Sequence, residues 1–151
     1  MIAGTVWTQL VSTLEDNPTL SGYIKQIFEG RRYNIEPESL PCIMLEPIRD
    51  GEIHKDMNQY KDIFFSVDLF AFSSNNPHEF KQTIVGTKGY KGILNIENDL
   101  RACLQSSNTL GGNVIDIQFE PTVFDQLDIG KYPVRGLLMP IKILYRQNNN
   151  A

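Results

Sequence analysis

Residues Tyr60 to Ser73, YKDIFFSVDLFAFS, form the densest run of β-branched and aromatic side chains in the sequence. Side chains alternate sides along a strand. Ile63, Phe65, Val67, Leu69 and Ala71 therefore share one face, and all five are apolar. Phe64, Ser66, Asp68, Phe70 and Phe72 share the other, which is mixed. The first face needs a covering layer of helices. The second is too aromatic for a wet surface and too polar for a dry core. Phe64, Phe70 and Phe72 thus fit either a second internal layer or a contact with another copy of the chain.

The flanking segments supply that helical layer. Val6, Trp7, Leu10, Val11 and Leu14 recur at threes and fours, the spacing of one apolar helical stripe. Asn17-Pro18 ends that helix and suits the start of a second, because Asn caps well and Pro fits the first helical turn. Leu20, Tyr23, Ile24, Ile27 and Phe28 continue a helical spacing, and Gly30 would close it. Ser39 to Glu46 reads as a short buried strand entered through Pro41 and closed by Pro47. Ile48 to Gln59 is polar and charged, as expected of an exposed loop or hairpin tip. After Ser73, SSNNP is a stop signal.

Helical period returns from Tyr90 with Ile93, Leu94, Leu100, Cys103 and Leu104, and Gly111-Gly112 turns the chain. Asn113 to Phe124 alternates: Ile115, Ile117, Phe119 and Val123 against Asp116, Gln118, Glu120 and Thr122. FDQLDIGKYP reads as a loop. Val134 to Arg146 is the last long strand, where Pro140 predicts an edge position or a bulge. The expected fold is one α+β domain over residues 1–151: a mainly antiparallel four-stranded sheet, with N-terminal helices and one central helix packed on one face.

At 151 residues the chain can bury a real core. Its 14 basic and 18 acidic residues leave a net charge of −4, against the basic face of a domain that grips nucleic acid through phosphates. The opening MIAGTVWTQL has no basic n-region or long apolar core, and no apolar run approaches the ~20 residues of a membrane span, so neither export nor insertion is expected. Cys42 and Cys103 have no metal-like spacing and read as buried thiols.

A search for chemistry finds little. His54 lies between Glu52 and Asp56, raw material for a general base, but among charges that suggest a solvated tip. His78 reads as a helix-start residue. Gly86-Thr87-Lys88-Gly89-Tyr90-Lys91-Gly92 lacks both the phosphate-loop and the dinucleotide pattern, and reads as a flexible loop. No catalytic residue, cofactor site or metal site is expected. The residues favour binding or assembly.

The order of elements resembles the tail terminator (tail completion) proteins of long-tailed bacteriophages. These are small α+β domains with a helical N-terminus, a strand introduced by L-P-x-[IVM], a long loop, an aromatic strand, a helix and two final strands. The matching pieces are Leu40-Pro41-Cys42-Ile43-Met44-Leu45-Glu46-Pro47, Phe64 to Phe72, Gly92 to Leu104, and Tyr132 to Arg146. The resemblance covers nearly the whole chain and rests on element order, while residues 74–90 are longer than in compact versions.

The resemblance implies a ring, hexameric in that family, that caps the tail tube, ends its polymerisation and meets a head-side connector or stopper. It implies a place in the virion tail or neck, with assembly in the host cytoplasm. DNA would pass through without sequence-specific binding. On this reading Phe64, Phe70 and Phe72 belong to the subunit interface. Arg49, Glu52, Lys55, Asp56, Asp125, Asp128 and Lys131 would contact the tube or connector. Asp68, Asp116 and Glu120 either line the lumen, where acidic walls repel DNA, or form a plain solvated face. The alternatives are another neck or head–tail joining protein, and a small cytosolic enzyme or ligand-binding domain.

Overall fold

A computed structural model describes residues 3–55, 60–74, 80–87, 89–112, 114–129 and 132–148. The fold is α+β, with a six-stranded mixed sheet whose one face is covered by helices. Helix α1 spans Ala3–Asp16 and buries Val6, Leu10, Val11 and Leu14, the stripe expected from the sequence. Asn17 then caps α2, Pro18–Ser21: its side chain accepts hydrogen bonds from the Thr19 and Leu20 amides at 3.0 Å.

The expected second helix stops there. Residues Gln26–Glu29 instead form β1, parallel to β2, Cys42–Lys55. Ile27 and Phe28 belong to opposite faces, which strand pairing allows and a single helical stripe does not. Gly30, at φ +95°, ends β1 in a conformation that favours glycine.

Strand β2 also corrects an expectation. Pro47 does not close it, and residues 48–55 are strand rather than loop. Its pairing with β3, Tyr60–Phe72, shifts register between Pro47 and Arg49 and again between Glu52 and His54. At the first shift Ile48 is squeezed out and half exposed. Pro47 is tolerated because β1 has already ended. The Leu45 carbonyl accepts from Gly30, so residue 47 faces the same, now unpaired, side.

Helix α3, Ile93–Ser106, buries Ile93, Ile96, Leu100, Cys103 and Leu104. The strand expected over residues 113–124 is split: β4 is Asp116–Phe119 and β5 is Val123–Ile129. Thus residues 125–129, expected as loop, are strand. Both pair with β6, Tyr132–Asn148, one after the other along the same side. Across the sheet the order is β1-β2-β3-β6, with β4 and β5 sharing the last place.

Pro140 therefore lies on an inner strand and in register with Asp68, neither at the edge nor at the bulge expected. Its carbonyl accepts from the Glu120 amide at 3.0 Å, on the side where β4 gives way to β5. Pro140 has no N–H to return to the Glu120 carbonyl, so the β4–β6 ladder ends there on a single bond, after Phe119.

The main core lies between α1, α3 and one sheet face, and includes Ile43, Leu45, Ile63, Phe65, Val67, Leu69, Met139, Ile141, Ile143 and Tyr145. Among the described residues, no helix is long and apolar enough to cross a membrane.

Candidate functional site

The sheet face away from the helices has two halves. At one end Leu40, Cys42, Met44, Phe72 and Val134 form a second small core, with Phe28, Ile35 and Phe70 against it. Phe72 is 8% exposed, and its ring lies 3.0 Å from where a Cβ on Gly136 would stand. That ring is engaged within the chain itself. Phe70 is half-buried, with the Arg31 guanidinium 4.9 Å from its ring centre. Phe64, toward the other end, is also half-buried, with the Lys142 ammonium 5.9 Å from its ring.

Between them runs a row of carboxylates. Glu46 pairs with Asp68, Asp68 pairs with Pro140, and Glu120 bonds to Pro140 through its backbone. Burial raises the Asp68 pKa, Glu120 and Glu46 raise it further, and Arg31 pulls it back. The row is partly neutralised. Glu46 accepts from the Arg31 amide at 2.7 Å, and Glu120 pairs with Lys142 at 3.3 Å. Asp116 shares this face one row beyond Lys142, opposite Leu144, and Asp62 pairs with Arg146 at 2.8 Å. Asp68, Asp116 and Glu120 are thus brought to one face, as a mosaic of both signs rather than a uniformly acidic wall.

The expected rim residues fall at opposite ends of the sheet. Arg49 is exposed on β2, and Glu52 and Lys55 follow toward the end of β2, beside the end of β6. Asp125 is exposed on β5, and Asp128 follows opposite Pro133, beside the start of β6. The 17 residues of β6 extend over roughly 50 Å. Asp56 and Lys131 lie outside the described residues, as do Lys88 and His78; His54 is placed in β2 by its backbone alone.

The ends of the glycine loop before α3, Gly86 and Gly92, are tied together through Asn95. The amides of Gly86 and Gly92 both donate to Asn95 Oδ1, at 2.7 and 3.0 Å. A Cβ on Gly86 would stand 1.9 Å from the Tyr90 carbonyl oxygen. Those amides serve the loop's own closure.

Sequence reasoning missed the two lateral edges. Among the described residues no strand pairs with the outer side of β1, or with the outer sides of β4 and β5. On β5, Val123 is 58% and Phe124 46% exposed, with Leu127 next to them in exposure. The signal was present in VFDQLDI, where Val123, Asp125 and Leu127 alternate with Phe124 and Gln126. Its two acids made it read as a loop.

The chain matches no protein-family model, and no curated protein is significantly similar to it.

Proposed function

We propose that this chain is a structural virion protein that forms a ring on the end of a phage tail tube, ends tube growth and presents a surface for head joining. The observation that carries the reading is the lopsided sheet. One face is sealed by helices, the other is open and charged over half its length, and among the described residues both lateral edges are unpaired. An unpaired edge on each side suits a subunit that is joined left and right by copies of itself, and closure into a ring removes the edges.

The rim assignments suit the same reading. With the strands roughly along the ring axis, the ends of β2 and β5 lie at opposite rims. One would meet the tube and the other the head side. The open face then lines the passage, with the Glu46, Asp68 and Glu120 row around it. Mixed charge on that wall gives DNA no continuous basic track to bind.

The test is tube growth. Tail tube protein from the same virus is allowed to polymerise with and without this chain. Tubes should stop lengthening and carry a ring at one end in electron micrographs. Unchanged growth with bare ends would contradict the proposal.

A further inference from the structure

We propose that copies of this chain join head to tail, the outer edge of β5 pairing with the outer edge of β1 in the next copy, with Phe124 seated in a groove beside β1. This deepens the ring reading and rests on it. Three independent features of the two edges agree.

The first is strand direction. β1 runs parallel to β2, and each following neighbour, β3, β6 and β5, reverses. β5 is therefore antiparallel to β1. A second copy set beside the first without inversion brings them together as an antiparallel pair, which needs no crossover.

The second is shape on a matching face. Phe124 pairs with Leu137, so it lies on the helix-covered side of the sheet, yet it is 46% exposed. Beside β1, on that same side, lies a groove of about 330 Å³ floored by Leu14, Leu20, Ile24 and Ile27. An aromatic knob at one edge thus faces, at the other, a groove with an apolar floor and a polar rim of Glu15, Ser21, Lys25 and Gln26. Both leave water in the same step.

The third is charge. Lys25 precedes β1 and lines the groove with Glu15, and Arg32 follows β1 with its guanidinium 4.6 Å from the Phe28 ring, while Arg31 is turned across the open face to Phe70. The acid on β1, Glu29, accepts the Trp7 indole N–H at 2.6 Å and is held toward α1. β5 carries Asp125 and Asp128 and no basic residue. A basic edge meets an acidic one, whereas two like edges would repel, which favours head-to-tail pairing over a symmetric dimer.

The test uses two blocked full-length chains. Phe124→Asp blocks the β5 edge; Lys25→Glu with Arg32→Glu blocks the β1 edge. Each alone should run as a 17.2 kDa monomer by sedimentation velocity. Mixed in equal amounts, each still has one intact edge, so the mass should double and go no further. Circular dichroism and thermal unfolding confirm that the chains are folded, and Val123→Lys, at a still more exposed position, replaces Phe124→Asp if that chain unfolds. Rings that survive in both blocked chains overturn the edge pairing and leave the ring reading standing. Homodimers of either blocked chain point to a symmetric interface and overturn the inference. A wild-type chain that stays monomeric at every concentration overturns the edge pairing in solution, and tube growth decides the ring reading separately.

Discussion

Glu46 stands directly opposite Asp68 across the β2–β3 ladder, two carboxylates at adjacent positions on the open face. Like charges so placed repel. The Asp68 carboxyl is held above the usual carboxylate range by burial, by Glu120 and by Glu46, against the pull of Arg31. The fold therefore holds the Asp68 proton more tightly than the unfolded chain does. Its contribution to stability is greatest below the unfolded pKa and declines as pH rises through the folded one. Asp68→Asn should stabilise the dilute monomer at pH 7 by no more than ~1 kcal/mol, since solvent screens the site. Melting should rise by about 2–4 °C at pH 7, with the gain gone near pH 3, below the ordinary carboxylate value. An equal shift at both pH values would show that charge is not the cause.

The two thiols provide a check on the two cores. Cys42 lies in the small open-face core and Cys103 in the helix layer, and neither is bonded to the other. Burial pushes the Cys42 thiol up to about 12 and raises Cys103 as well. At pH 8 a thiol reagent should label neither in the folded chain over minutes, and both at once in urea. Fast labelling of one thiol under native conditions would show that its core opens locally.

Much of this arrangement was legible in the sequence. The two faces of β3 followed from strict alternation, and α1 and α3 from apolar stripes, because in each case one surface is wholly buried. β1 was not legible. Leu20, Tyr23, Ile24, Ile27 and Phe28 satisfy a helical spacing, and only pairing with β2 decides otherwise. The outer halves of β2 and β5 escaped for another reason. Residues 48–55 of β2 are mostly polar and charged, and β5 carries two acids, so composition alone reads both as loop. The open face was foreseen as mixed, but the unpaired edges depend on strand order, which no single segment encodes.

Glycine substitutions should separate tight loop closure from helix propensity. Gly86→Ala drives a Cβ into the Tyr90 carbonyl, a backbone atom that cannot swing aside. It should cost about 2–3 kcal/mol in urea unfolding. Gly4, near the start of α1, has nothing within 4 Å of a new Cβ. Gly4→Ala should stabilise by about 0.5–1 kcal/mol. The same sign for both would contradict the loop geometry.

Lysine at Asp116 and Glu120 tests the passage. Glu120→Lys removes the partner of Lys142 and, with Asp116→Lys, turns this part of the face basic. Rings should still form, while DNA release from virions carrying the double variant slows several-fold, most at low salt. Release at the wild-type rate would remove these residues from the lumen.

The most direct measurement is the mass of the intact protein in solution across concentration, by sedimentation velocity. Edge-to-edge closure predicts one discrete species, a fixed multiple of 17.2 kDa, growing in at the expense of monomer and never exceeding its limit. Monomer alone at every concentration, or polymers that lengthen without bound, would contradict it.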